Sequence, residues 1–240
     1  MDPRAVQGVL SDLIISMNRH DFDDVLRSAA RLQQLVPDAV LVGGSAAALY
    51  AGHRTSDDHG HAVADLASRF DAVLEALEND PEWVLNRAVP GKILLGALGD
   101  IEVGIRQLIR RRPLETQVVE VPGGGQVVAP TPEETLRIKA YLLVKRNQAR
   151  DYLDVAALAY RFGIPWAADT LTNIDTYYGE GVRGETSVAE QLLRQLGQPR
   201  PKDSRTTTNL AQYKDLTPRW RTWDTVVEQC QAIADAMLAE

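Results

Sequence analysis

Apolar positions recur at helical spacing through residues 5–36. Val6, Val9, Leu10, Leu13 and Ile14 fall on one face, and Val25, Ala29, Leu32 and Leu35 form a second stripe after a break near Asn18–Asp21. Pro37-Asp38 ends that run. Ala39–Val42 is short, apolar and β-branched, as expected of a strand covered on both faces. Helical spacing returns at Leu66, Phe70, Val73, Leu74 and Leu77 and stops at Asn79-Asp80-Pro81. Alternation then takes over. Strands are predicted over 83–88, 92–97, 101–105, 118–121 and 126–128, with turns at Gly99-Asp100 and Gly123-Gly124-Gly125. From Pro130 onward the pattern is helical again: about 136–147, 151–160, 166–171, 187–196, 210–213 and 223–238, with a polar linker at 198–204. This order implies an α+β fold: a mixed β-sheet core flanked by helices over 1–130, then an all-helical region over 131–240.

Two stretches in this pattern carry candidate chemistry. The first is Val42-Gly43-Gly44-Ser45, between the first strand and a short helix, followed by the polar run Thr55-Ser56-Asp57-Asp58-His59-Gly60-His61. Two glycines permit a turn that few other residues make. Ser45 is placed to cap the helix, whose free N–H groups and positive dipole end suit phosphate oxygens. The bland alternative is an ordinary strand–turn–helix followed by a solvated acidic loop. The second stretch is the helix start Thr131-Pro132-Glu133-Glu134, with Thr131 as cap, Pro132 in the first turn, and Lys139 near the middle of the helix. Between the two, Glu102 lies on the opposite strand face from Ile101, Val103 and Ile105. A carboxylate in a central strand calls for a partner or a cation, whereas on an edge strand it is merely solvated.

Gly43-Gly44-Ser45, with Asp58 thirteen residues after the serine in the setting Gly-His-Arg-Thr-Ser-x-Asp, resembles the nucleotidyltransferase superfamily. Within it the chain is most similar to the AbiEii-type toxins of type IV toxin–antitoxin, or abortive-infection, systems. Thr131-Pro132-Glu133-Glu134 through Lys139, then Lys145-Arg146 and Arg150-Asp151-x-x-Asp154, adds a second likeness in the expected order. The resemblance spans residues 39 to about 160. It implies transfer of a nucleotide from a nucleoside triphosphate to an acceptor, which in related toxins can be a tRNA end. Gly44 and Ser45 would cradle the triphosphate, Asp58 and Glu102 would hold Mg²⁺, and Lys139 would meet phosphate charge. Asp151 would orient Lys139 or the attacking hydroxyl. A cognate antitoxin protein is an implied partner. The departure is Gly60, which stands where the family places a second carboxylate, two residues after the first. That substitution sets up the alternative of a binding module for nucleotide, RNA or antitoxin with impaired catalysis. Transfer to a small molecule or to protein is a weaker third reading.

Composition changes this picture little. Of 240 residues, 45% are hydrophobic and 25% charged, and the net charge of −7 argues against broad electrostatic binding of nucleic acid while leaving room for a local basic patch. Cys230 is the sole cysteine, so no internal disulfide forms and a reducing, cytoplasmic setting is expected. Neither a secretory leader nor a membrane-spanning run is legible, and no membrane partner is expected. Asp57, His59 and His61 are a minor candidate for a transition metal. Arg110-Arg111-Arg112 reads as a solvated turn or, less simply, as an RNA contact. Asp151 has a plain reading as a helix cap, and Tyr213, Trp220 and Trp223 read as packing aromatics.

Overall fold

The computed structural model describes residues 21–110, 112–178, 186–213 and 215–239. The helical pattern before residue 21, and Arg111, lie outside them. Helix α1 (Phe22–Leu35) buries Val25, Leu26, Ala29 and Leu32 along one stripe, the stripe its spacing predicts apart from Leu35. Strand β1 (Val40–Val42) runs straight into α2 (Gly43–Ala51), and β2 (Asp58–Val63) returns antiparallel beside β1. Helix α3 (Leu66–Glu78) crosses to β3 (Trp83–Val89), which with β4 (Ile93–Leu98) and β5 (Ile101–Gln107) forms an antiparallel meander. Strand β5 then lies parallel to β2, giving the order β1-β2-β5-β4-β3 in a mixed sheet.

Among the described residues, one face of this sheet is covered by apolar packing. Val63, Val103, Ile105 and Leu94 are buried against Leu66, Phe70, Val73 and Leu77 of α3 and Leu32 of α1. The alternate residues on β5, Glu102 and Arg106, are exposed on the other face. A separate hairpin of β6 (Thr116–Val121) and β7 (Gly125–Pro130) closes a small core with Leu26, Ala29 and Leu41. The Gln33 side-chain amide accepts from Val128 N at 2.7 Å and donates to Val128 O at 2.9 Å, and so imitates a neighbouring strand along β7.

From Pro132 the described chain is helical. Helix α4 (Pro132–Arg146) opens on Thr131, whose Oγ1 accepts from Glu134 N at 3.2 Å, as the sequence predicts. Helix α5 (Ala149–Phe162) is buried along most of its length among α4, α6 (Ile164–Thr172), α8 (Val188–Gly197) and α10 (Trp223–Ala239). The short α7 (Asp175–Tyr178) and α9 (Ser204–Thr208) complete the set. This helical part packs on the first half through α2, where Ala47 joins its core. The polar segment at 198–204 is docked: Asn147 donates to Arg200 O at 2.9 Å, and Asp203 Oδ1 accepts from Ala149 N at 2.8 Å. That contact, with Gln148 as the residue before the helix, leaves Asp151 inside the first turn of α5 and removes its reading as a cap.

Candidate active site

The β1–α2 junction sets the position of the first group. Gly43 takes φ +81°, a conformation few L residues tolerate, and the chain turns into α2 with no spacer. Helix α2 therefore starts two residues before Ser45, and the residue ahead of it is Val42, which has no side-chain cap. The expectation that Ser45 caps the helix is thus corrected. Its buried Oγ instead donates to the Asp58 carbonyl at 2.5 Å and ties the first turn of α2 to the start of β2. Asp58 Oδ1 also accepts from Ser56 Oγ at 3.3 Å.

The register of β2 against β5 sets the second feature. Asp58 pairs with Glu102 across the parallel strands, so both side chains leave the sheet on the same face, about 5 Å apart at the backbone. Both residues are exposed. Glu102 therefore sits on a central strand and is still solvent-facing, because the helices that cover β5 lie on the opposite side. Gly60 and Gly104 are the next pair on the open face. A Cβ built on Gly60 would find its nearest neighbours, Gly104 O and Val42 O, at 3.9 Å. Packing therefore leaves room for a side chain at position 60.

The third feature is a charged hub that the sequence reading missed. Asp154 on α5 is fully buried and takes Lys139 Nζ at 2.6 Å, His53 Nε2 at 2.8 Å, and Arg54 through Nε at 3.0 Å and Nη2 at 3.2 Å. Burial alone would raise the Asp154 carboxyl. Arg54, Lys139 and His53 outweigh it and hold that carboxyl well below the usual carboxylate range. Burial dominates at His53, whose imidazole is pushed down and stays neutral at pH 7. The Arg54 guanidinium lies against the start of α2: a Cβ on Gly44 would come within 2.6 Å of its Nη2. Gly44 is thus the residue that lets the arginine approach. The Lys139 ammonium is only 4% exposed and already ion-paired. The residue that orients it is Asp154, not the expected Asp151.

Asp151 makes no hydrogen bond to this hub. It has 0% exposure, and neither carboxylate oxygen accepts a hydrogen bond from the described residues. Burial raises its pKa, opposed in part by Lys139, Arg146 and Arg150 and reinforced by Asp154. Asp151 is thus a buried, unbonded carboxyl whose proton affinity is raised, a combination that marks a candidate proton acceptor.

The chain aligns with MenT4, a nucleotidyltransferase toxin from Mycobacterium tuberculosis, at TM-score 0.57, covering 91% of this chain and 83% of that one at 15% identity. Its fold is nucleotidyltransferase-like. No family model matches the chain. Among curated proteins, the heme uptake protein MmpL11 of Mycobacterium tuberculosis is 30% identical over 245 residues, 90% of this chain and 23% of that protein. The mycolic acid-containing lipids exporter MmpL11 of Mycolicibacterium smegmatis is 35% identical over 131 residues, 55% of this chain and 13% of that protein. The chain spans less than a quarter of the length of these curated relatives. No helix among the described residues is long and apolar enough to cross a membrane.

The remaining sequence candidates fall elsewhere in this nucleotidyltransferase-like fold. His59 and His61 point into the covered face of the sheet, 1% and 0% exposed, with His59 Nε2 3.0 Å from Ser28 Oγ and the two Nδ1 atoms 3.4 Å apart. Asp57 precedes the strand, and no three His, Cys, Asp or Glu side chains gather as a metal site among the described residues. The transition-metal candidate therefore has no support in the structure. Arg110 is no solvated turn residue. Its Nη1 is 2.7 Å from buried Glu134, its Nη2 donates to Pro113 O at 2.8 Å, and Arg112 and Arg137 lie over the Tyr177 ring at 4.0 and 3.9 Å. This strap fastens the loop after β5 to α4 and α7.

The histidine pair gives the first expected result. Burial pushes His59 down to about 4 and His61 further. Unfolded histidine takes up its proton near pH 6.5, so the unfolded state binds more protons between there and the folded value. Stability is complete above pH 6.5 and is lost as the pH falls below it. Between pH 7 and pH 5 each histidine should cost about 2 kcal/mol. Urea midpoints at both pH values test this: between pH 7 and pH 5, His61→Leu should lose about 2 kcal/mol less than the parent loses, and equal losses would refute the assignment.

Proposed function

We propose that this chain is a nucleotidyltransferase of the AbiEii toxin type that moves a nucleotide from a nucleoside triphosphate to the hydroxyl of an RNA acceptor, with tRNA the favoured class. The observation that carries the reading is the in-register pairing of Asp58 and Glu102 on the open face, beside the first turn of α2. The MenT4 likeness supports the toxin assignment through its fold.

The residues present fit Mg²⁺, which is commonly held by one or two carboxylates with substrate phosphates filling its other positions. Asp58 and Glu102 would hold the cation, whose charge would stabilise the attacking and leaving oxygens. The free N–H groups at the start of α2, and Ser45 on exchanging its bond to the Asp58 carbonyl, would receive phosphate oxygens. Lys139, held by Asp154, would present positive charge to the same phosphates. Asp151 would take the proton of the attacking hydroxyl as that oxygen bonds to the α-phosphorus, the bond from the α-phosphorus to the bridging oxygen breaks, and pyrophosphate leaves.

The test is transfer of label from each of the four triphosphates to total RNA with Mg²⁺. Asp58→Ala should lower the rate by about 100-fold or more, the order found when a group supporting transition-state charge is lost. No label above that control would refute the enzymatic reading. Gly60 favours the alternative, a nucleotide-, RNA- or antitoxin-binding module. Because position 60 has room for a side chain on the Asp58 face, Gly60→Asp can restore a second carboxylate. Transfer seen only in that variant would establish the binding module.

A further inference from the structure

The open cleft is charged unevenly along its length. On β5, Glu102 and Arg106 share one face four residues apart, on the order of 13 Å. On α4, Lys139 and Arg146 are seven residues apart, so they fall on one stripe roughly 10 Å from each other. Strand and helix thus each run from the reactive end, with Asp58, Glu102 and Lys139, toward an arginine. Arg150, in the first turn of α5, makes the third. All three arginines are exposed, and none is in an ion pair among the described residues. Arg146 nevertheless stands within electrostatic reach of both Arg106 and Arg150, whose repulsion helps burial depress it, and Arg146 and Arg150 also reach Asp151. Setting two further arginines near Arg146 is unfavourable without an anion to bridge them, and it is notable in a chain of net charge −7.

Arg150 also borders a recess lined by Gln148, Asp203, Thr206 and Tyr213. Gln148 Oε1 is buried there without a hydrogen-bond partner among the described residues. Tyr213, unlike buried Trp220, is only partly covered. An aromatic face beside a row of arginines is how single-stranded nucleic acid is held without base pairing.

We propose that Arg106, Arg146 and Arg150 form a track for the phosphodiester backbone of the acceptor strand, with its hydroxyl end at Asp58 and Glu102 and one base in the recess against Tyr213. This rests on the transferase reading and names the surface by which that site takes a polynucleotide in place of a small acceptor. The spacing corresponds to roughly three to four nucleotides of stacked strand.

The test is binding without chemistry. Fluorescence anisotropy follows a labelled 12-nucleotide single-stranded RNA, and its DNA counterpart, against salt with no triphosphate present; calorimetry follows the four triphosphates separately. Each of Arg106→Ala, Arg146→Ala and Arg150→Ala should weaken RNA binding and reduce the slope of log K against log salt by about 0.7. Tyr213→Ala should weaken binding by about 5- to 100-fold. Triphosphate affinity should stay at the parent value in all four variants, and melting temperature in the three arginine variants. Equal losses on DNA support a backbone track indifferent to the 2′-hydroxyl. A parent that binds no RNA, unchanged slopes, or a loss of triphosphate affinity in the arginine variants would overturn the track. RNA binding that responds as expected in a protein showing no transfer would instead sink only the enzymatic reading.

Discussion

Asp154→Ala should destabilise the protein by about 3–5 kcal/mol, the cost of leaving buried charges without their counter-ion. Asp154 is the shared acceptor for Lys139, Arg54 and His53, none more than 6% exposed. Removing it strands two cations in a site that water does not reach. The loss is a large fraction of the 5–15 kcal/mol typical of a folded domain, and it should lower the melting temperature on the order of 10 °C. Because the penalty comes from the orphaned cations, adding Lys139→Met to Asp154→Ala should recover about 1–2 kcal/mol, since an apolar side chain of similar length needs no counter-ion there. Urea unfolding of the parent, single and double variants measures both effects. A single variant within 1 kcal/mol of the parent would mean the hub is hydrated and is not the joint between the two halves of the chain.

The hub also marks where sequence reasoning stopped. Alternation in Ile101–Ile105 gave the face of Glu102 directly, because strand periodicity is local. The helix cap at Thr131 was legible for the same reason. What sequence spacing left open was which strand Glu102 would pair with. Only the parallel pairing of β2 with β5, across the whole β3–β4 meander, sets it beside Asp58. Asp154 and Arg54 stood in the quoted motifs, yet they are 100 residues apart and meet only when α5 packs on α2. Ser45 failed as a cap because Gly43 lets the helix begin early, a backbone detail that composition does not encode. His59 and His61 looked like ligands because their burial is set by α1, and not by their own strand. The docked segment at 198–204 read as a linker for a similar reason: polar residues can be structural when they cap a distant helix end, as Asp203 does.

Asp151→Asn separates catalysis from structure most sharply. The substitution keeps the shape of the side chain and removes only its ability to take a proton. As the proposed base for the attacking hydroxyl, Asp151 would contribute about 10²- to 10⁴-fold, so the transfer rate should fall by that factor while triphosphate affinity changes little. Stability should move the other way. Burial raises the folded pKa of Asp151 above its unfolded value, so its contribution is most favourable below the unfolded pKa and declines as the pH rises through the folded one. Above the unfolded pKa, burying this unbonded carboxyl therefore costs stability, and the asparagine variant should be at least as stable as the parent. The pH profile supplies a third readout. A raised base moves the acid limb of the transfer rate to higher pH than an ordinary carboxylate would, and that limb should vanish with Asp151→Asn. A variant that loses activity together with stability would make Asp151 a structural group. One that loses activity, keeps its fold and flattens the acid limb would identify the carboxylate as the proton acceptor, the combination expected where stability has been given up for chemistry.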